Sequence, residues 1–479
     1  MNFVLALASS ALLILSLPNF DWHWLAPIAL TPLMVAAVRE KRGLWRFLVG
    51  YVAGVAYWFG VCNWIEFTLQ THAGMSPVVA WLVFLLFCLA KALQMGAFAW
   101  AAGWMLPTRF GVPASAALWV AIEWTHGPLG FAWLTLGNAG IDIGPLLKLA
   151  PWTGVWGLSF LFAILAAEIA NLILRRPALP FFGVAFALVV LMLPKLPGIE
   201  AAGERATLVQ PNIDEEQYWT PQAFTALVER MRVLSIEHPS PLLVWPEAPA
   251  PFYESDPTMM RFLSAVARDQ NREVLAGIIG NAADGGNLNS AVLFDRYGHK
   301  VSRYDKVNLV PFGEFVPWPL GPIAFKVSHE AGDFEPGSLP VVSQVAGHKI
   351  GTFICYESVF PRFIRRFVLD GAELLLNPSN DGWFGKTHAR FQHLAIVRMR
   401  AAENRRWILR ATNDGISAAI DDAGRVRERL PLYEEASRTV AFSYERGLTL
   451  YTRLGDWFPA LCALGVLANY AGLLTRRRL

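Results

Sequence analysis

Of the four cysteines in this 479-residue chain, only Cys355 lies in a polar part of the sequence. It ends an apolar, strand-like run, Gly351-Thr352-Phe353-Ile354. Tyr356, Glu357 and a segment of helical pattern, Val359 to Val368, come next. A cysteine where a strand gives way to a helix can leave the sheet with its sulfur exposed. The N–H groups of the next turn then lower its pKa and bind an oxyanion. The competing reading is core filling, because free cysteine is among the most buried residue types.

Other polar stretches bear on that choice. Leu243-Val244-Trp245-Pro246-Glu247-Ala248-Pro249 sets a carboxylate at the end of an apolar strand. Tyr304-Asp305-Lys306-Val307-Asn308-Leu309-Val310-Pro311-Phe312-Gly313-Glu314 carries an amine, and Asn377-Pro378-Ser379-Asn380-Asp381-Gly382-Trp383-Phe384 lies beyond the cysteine. Taken singly, Glu247 and Lys306 read as salt-bridge partners. Together with a thiol they suffice for covalent acyl transfer: the carboxylate takes the thiol proton, and the ammonium stabilises the thiolate and then the oxyanion.

These residues need elements to hold them. The chain is 54% apolar and 16% charged, with a mean hydropathy of +0.37. Soluble domains carry ~25% charge, so much of the chain belongs in lipid. A net charge of +3 without a long basic block gives no basis for nucleic-acid binding. Cys62, Cys88 and Cys462 fall in apolar runs, so no disulfide framework is implied. No spacing suggests a metal, no Gly-rich loop suggests a nucleotide, and no cofactor is expected.

Seven apolar runs cover Phe3–Leu17, Leu25–Val38, Phe47–Phe67, Pro77–Ala101, Ala114–Trp124, Gly157–Leu174 and Leu179–Leu193. Several fall short of the ~20 residues that a bilayer requires. The first lacks a basic leader and a small-residue cleavage site, and reads as an anchor. Arg39, Lys41, Arg42, Arg46, Arg109, Arg175 and Arg176 gather in alternate loops, which the positive-inside rule puts in the cytoplasm. The chain beyond Leu193 is then outside, until an eighth run, Trp457 to Leu474, returns it to Arg476-Arg477-Arg478. The reading is a seven-helix membrane domain over 1–195, a globular domain over 201–455, and an eighth span with a basic tail over 456–479.

The globular part alternates strands (Ala206–Gln210, Leu242–Trp245, Val274–Ile279, Ala291–Phe294, Lys349–Cys355, Glu373–Asn377, Ile408–Thr412, Ile416–Ile420) with helices (Pro221–Glu237, Pro257–Asp269, Pro361–Leu369, His388–Trp407). That predicts an α/β domain with helices covering a largely buried sheet. Asp295 to Gly298 and Asp421 to Gly424 read as hairpin turns.

The order Trp-Pro-Glu, Tyr-Asp-Lys with Val-Pro-Phe-Gly-Glu, then Ile-Cys-Tyr-Glu resembles the Glu–Lys–Cys triad of the nitrilase, or carbon–nitrogen hydrolase, superfamily. With the spans and Asn-Asp-Gly-Trp-Phe-Gly, the whole chain resembles the bacterial apolipoprotein N-acyltransferase family. The resemblance implies an αββα sandwich facing the periplasm, anchored by many spans in the bacterial inner membrane. It implies Cys355 as nucleophile, Glu247 as general base and Lys306 as oxyanion-stabilising amine. Glu314 would orient Lys306 or relay protons, the Tyr356 N–H would be the second oxyanion donor, and Glu357 would hold the elbow in shape.

Trp219 would match an aromatic on a loop over the site, and Trp383 and Phe384 would sit on another loop, with plain packing as the alternative. The implied reaction is ping-pong transfer of the sn-1 acyl chain of a phospholipid, phosphatidylethanolamine, to the α-amine of a diacylglyceryl-lipoprotein, by a monomer in the bilayer. Two rivals are a membrane-tethered amidase and a non-enzymatic permease or lipid-binding scaffold. Three intact reactive residues argue against the second, and a multi-span anchor favours a lipid substrate over the first. Glu66, Lys91, Glu123 and Glu168 inside the runs read as structural or headgroup contacts. His388 and His393 read as a solvated or packing face.

Overall fold

The computed structural model describes residues 1–18, 20–128, 131–175, 181–199, 202–214, 217–311, 313–315 and 334–476. Arg176, Leu179, Ala201, Phe312, Arg477 and Arg478, singled out in the sequence, lie outside the described residues. The chain divides into two compact units. One comprises Met1–Glu66, Pro77–Leu196 and the chain from Thr449 onward; the other comprises Phe67–Ser76 and Pro197–Leu448.

The first unit is helical: α1 (Asn2–Ser16), α2 (Thr31–Arg39), α3 (Gly43–Cys62), α4 (Trp64–Thr71, at the junction of the two units), α5 (Pro77–Met105), α6 (Gly111–Trp124), α7 (Val155–Ile173) and α8 (Phe182–Met192). Among the described residues, α3, α5 and α7 are long and apolar enough to cross a membrane. The runs of α1, α2, α6 and α8 form shorter helices, some of them interrupted by breakers. Pro27, for one, confines residues His23–Ile28 to a 3₁₀ turn ahead of α2. Helix α6 has 14 residues, roughly 21 Å at ~1.5 Å per residue, against a hydrocarbon core of ~30 Å.

Small residues let α3 and α5 approach closely: a Cβ on Gly54 would come within 2.8 Å of the Ala92 Cα. The ionisable groups here are tied down locally. Lys91 is buried, donates to the Phe131 carbonyl at 3.2 Å and lies 4.9 Å over the Trp58 ring. Glu123 accepts the Leu136 N–H at 2.6 Å. Lys91 therefore sits mid-helix inside the bundle rather than snorkelling from a span end.

The second unit holds two six-stranded sheets, as the family resemblance implies, where the strand pattern alone suggested one. In chain order the strands are β1 (Glu204–Gln210), β2 (Leu242–Val244), β3 (Glu273–Asn281), β4 (Asn287–Phe294), β5 (Lys300–Asp305), β6 (Val342–Val345), β7 (His348–Thr352), β8 (Leu374–Ser379), β9 (Ile408–Thr412), β10 (Ala418–Ile420), β11 (Val426–Arg429) and β12 (Ala436–Phe442). Their orders are β12-β1-β2-β3-β4-β5 and β11-β10-β9-β8-β7-β6. Strands β1 to β3 run parallel in one sheet and β7 to β9 in the other, flanked by antiparallel partners.

Helices α9 (Pro221–Glu237) and α10 (Pro257–Asp269) cover the first sheet, and α11 (Pro361–Leu369) and α12 (Ala389–Asn404) the second. The sheets meet face to face, as in the Ser417 hydroxyl bond to Gln210 Oε1 at 2.8 Å. The result is an αββα sandwich. Helix α13 (Trp457–Arg476) comes after it in the chain and belongs to the first unit.

Both α9 and α10 begin as their sequences dictate. A side chain accepts a first-turn N–H (Thr220 from Ala223, Asp256 from Thr258), and a proline follows at once. Their apolar faces, including Leu227, Met231 and Leu263, bury Trp245 and Phe252 against β1 to β4. Gly277 in β3 leaves room for the chain leaving β2: a Cβ there would stand 2.2 Å from the Pro246 carbonyl oxygen and 2.8 Å from the Glu247 Cα. Gly277→Ala is therefore expected to destabilise the unit by ~1–3 kcal/mol through overpacking and to displace Glu247. A lowered thermal-shift midpoint together with reduced activity would show both.

Candidate active site

Glu247, Lys306 and Cys355 each come just after a strand end. The chain leaving β2 stays beside β3 through the Trp245 N–H bond to the Leu275 carbonyl (2.9 Å), and delivers Glu247 three residues later. Lys306 is the first residue after β5, held by its N–H on the Asn289 carbonyl at 2.8 Å. Cys355 comes three residues after β7, once Phe353 has bonded the Leu376 carbonyl, and opens a one-turn 3₁₀ helix, Cys355–Val359. Ligand sites of α/β sheets gather at such carboxyl ends of strands.

The Lys306 side chain is 1% exposed. Its Nζ donates to Glu247 Oε1 and to Glu314 Oε1, both at 2.9 Å. Burial works against the ammonium, but the two carboxylates outweigh it and hold the Lys306 pKa well above its usual value. Asn289, on β4, donates from one amide nitrogen to both of the same oxygens, at 2.8 and 2.6 Å. Glu314 Oε2 accepts the Val310 N–H at 2.8 Å. The arrangement fixes one cation between two anions.

The Cys355 thiol lies in the electrostatic field of both Glu247 and Lys306, and the Ser379 hydroxyl bonds to it. It is buried, and burial, reinforced by Glu247, pushes it up to about 12 against the pull of Lys306. The sequence suggested a thiol lowered by the next turn. The structure reverses that, because desolvation and a neighbouring carboxylate favour the neutral form. Cys355 has φ of +49° and Ala248, beside Glu247, +25°. Non-glycine residues are uncommon in that region, and such conformations persist only where the surroundings over-determine them.

Glu357 provides much of that support. It is fully buried and accepts the Tyr304 hydroxyl (2.7 Å), the N–H groups of Val307 (2.8 Å) and Asn308 (3.1 Å), and the Ile354 N–H (2.7 Å). One carboxylate thus ties the chain after Lys306 to the chain before Cys355. Tyr356 is buried edge-on to Phe360.

The three aromatics proposed for substrate divide. Trp219 packs, partly buried, against the core under α9 and α10. Phe384 is buried edge-on against His393, 5.7 Å between centroids, so packing accounts for it. Trp383 is less buried. Its carbonyl accepts the Thr68 hydroxyl (3.1 Å), its ring lies 4.2 Å from that of His72, and it passes 3.6 Å from where a Gly313 Cβ would stand. These contacts bring Phe67–Ser76, read in the sequence as a span end and loop, into this unit.

Asn289, Ser379, Asp381 and Arg410 were given no role in the sequence reading, and His393 was read there as part of a solvated or packing face. Asn289 had little signal: with Ser290 it lies just ahead of the apolar run Ala291–Phe294. His393 is fully buried, and its neighbours include the Cys355 carbonyl.

With this geometry in view, a sequence profile described as carbon–nitrogen hydrolase matches residues 205–446, which sets the class of the catalytic unit. A second profile, the apolipoprotein N-acyltransferase N-terminal domain, matches residues 9–167. The apolipoprotein N-acyltransferase of Geobacter metallireducens is 34% identical, over 100% of this chain and 96% of its own. That of Azotobacter vinelandii is 34% identical over 99% and 95%.

Among solved structures, a carbon–nitrogen hydrolase of Helicobacter pylori is 19% identical with a TM-score of 0.39, covering 50% of this chain and 89% of that one. An amidase from Nesterenkonia sp. is 21% identical with a TM-score of 0.41, covering 56% and 97%. The chain belongs to the apolipoprotein N-acyltransferase family.

A thiol pushed up to about 12 is ionised to roughly one part in 10⁴ at pH 8. Alkylation of Cys355 by iodoacetamide should therefore climb about tenfold per pH unit between pH 7 and 10. Lys306→Met, which removes the lowering charge, should slow it further at each pH. A rate already level below pH 9 would mean a pre-ionised thiolate.

Proposed function

We propose that this enzyme acylates the N-terminal amine of diacylglyceryl-lipoproteins with the sn-1 chain of phosphatidylethanolamine, through a thioester on Cys355, working from the outer face of the inner membrane. The observation that carries the reading is the buried Lys306 ammonium, bonded to Glu247 and Glu314 and within the field of the Cys355 thiol. Because the thiol is neutral at rest, a base must act during the attack. Glu247 removes the thiol proton as sulfur adds to the ester carbonyl. The carbonyl π electrons move to oxygen, and that oxyanion is stabilised by Lys306 and the Tyr356 N–H.

Collapse reforms the carbonyl, breaks the C–O bond to glycerol and returns the proton from Glu247 to the leaving alkoxide, releasing lysophospholipid. In the second half the acceptor's α-amine attacks the thioester. Its reference pKa is about 8, so a fraction is neutral at pH 7, and Glu247 takes the remaining proton as C–N forms and C–S breaks. Glu247 then reprotonates the departing thiolate.

Both substrates are lipid-anchored, and each methylene brought into water would cost ~0.8 kcal/mol. An acyl chain that stays in the bilayer while its ester reaches the thiol avoids that penalty, which is the physical case for joining this chemistry to α3, α5 and α7. Mass spectrometry of the Cys355 peptide after incubation with defined phosphatidylethanolamine tests the proposal. An acyl-thioester increment is expected, discharged by a diacylglyceryl-cysteine peptide and missing in Cys355→Ala. Release of lysophospholipid and free fatty acid with no adduct and no N-acylated product would favour hydrolysis instead.

A further inference from the structure

Behind Cys355 lies a closed ring of buried polar bonds that the mechanism above does not use. The Asn377 side-chain amide donates to the Phe353 carbonyl at 3.2 Å, and its Oδ1 accepts from Arg410 Nη1 at 2.5 Å. Arg410 Nη2 reaches both oxygens of Asp381, at 2.7 and 2.8 Å, and stands 3.1 Å from His393 Nδ1. Nδ1 is also 3.0 Å from Asp381 Oδ1. On the other side of the ring, His393 Nε2 is 3.1 Å from the Cys355 carbonyl oxygen and 3.0 Å from Ser358 Oγ. His393, Asp381, Arg410 and Asn377 are each fully buried.

A carbonyl oxygen can only accept, so a bond to Cys355 needs the hydrogen on Nε2. Nδ1 faces both Asp381 Oδ1 and the Arg410 guanidinium. With a neutral ring protonated on Nε2, Nδ1 accepts from Arg410, which also neutralises the neighbouring Asp381. Burial and Arg410 both lower the His393 pKa, in keeping with a neutral ring of fixed tautomer.

We propose that His393 is a positioning residue for the oxyanion site: its bond to the Cys355 carbonyl fixes the 355–356 peptide and thereby aims the Tyr356 N–H at the acyl carbonyl of the substrate. The peptide unit is planar and trans, so its C=O and N–H point in opposite directions, and holding one sets the other. At φ of +49° the Cys355 backbone is in a sparsely populated region and gains from an external restraint. Donation to the carbonyl also polarises the amide and strengthens its N–H as a donor. His393 touches no reacting atom. It acts through the peptide, and its own ring is held by Arg410, itself fixed on Asp381, and by the edge-on Phe384.

This inference rests on the acyl-transfer reading, and its test separates the two. A p-nitrophenyl ester acylates the thiol through an oxyanion without any phospholipid, and its burst of p-nitrophenol reports that step. Iodoacetamide alkylation also requires the thiolate but passes through no oxyanion. In the full-length enzyme, His393→Leu is expected to slow the burst roughly 10- to 100-fold, less than the ~10²–10³ of losing an oxyanion donor outright. Its alkylation rate should stay within about twofold, since the thiolate supply is untouched.

His393→Gln, whose amide nitrogen reaches as far as Nε2, should recover most of the burst, and the shorter His393→Asn should not. Should the leucine variant fail to fold, the Gln and Asn pair decides alone. An unchanged burst in His393→Leu, parallel losses of burst and alkylation, or equal bursts for Gln and Asn would overturn the assignment. A normal wild-type burst with no phospholipid adduct would instead sink the substrate reading and leave this one standing.

Discussion

A single buried ammonium constrains the catalytic unit. Stripping Lys306 of water costs several kcal/mol unless its charge is met by well-placed anions. Glu247 and Glu314 meet it at 2.9 Å each, and Asn289 keeps the same two oxygens turned inward. Those partners lie 59 and 8 positions away in the chain. The meeting therefore requires β2, β5 and the segment to Glu314 to converge at one end of the sandwich. The cation matters to the thiol too, because it is the neighbour that offsets part of the penalty for ionising a buried sulfur.

The backbone around Cys355 is held by a second layer of polar groups as dry as the first. Glu357 gathers the N–H groups of Ile354, Val307 and Asn308. The ring through Asn377, Arg410 and His393 holds the carbonyl side of the same turn. In a low-dielectric interior such bonds polarise one another and define one geometry, and an unsatisfied member would be costly. A left-handed cysteine is tolerable only inside that frame. The strain and the network are two views of one design, in which the surroundings rather than the local sequence dictate where the sulfur and the next N–H point.

The fold's regular interior was legible. Each strand read from apolar runs is present, because central strands buried on both faces appear as unbroken Val, Ile and Leu. The strands missing from that reading, β5, β6, β11 and β12, are the four sheet edges. Edge strands carry charged and polar residues that suppress pairing with other chains, as in Lys300–Asp305 and Val426–Arg429, so they lose the apolar signature. The same limit kept the second sheet out of the strand pattern, and only the family resemblance implied it: local periodicity reports that a strand is buried, not which strand lies beside it.

Sequence alone determined the chemistry available: a thiol and a carboxylate, each at the close of an apolar run, with an amine and a second carboxylate in another polar stretch, in an order shared with a known family. Turn residues and hydropathy also pointed to an α/β unit joined to apolar helices. Only the tertiary structure decided that Asn289 braces both glutamates, that burial raises the thiol's pKa, that Phe384 is packing, and that His393 stands behind the nucleophile. The division has one physical cause. Residue type and short-range spacing are local properties of the chain, whereas desolvation, field and hydrogen-bond partnership depend on what the fold brings within about 4 Å.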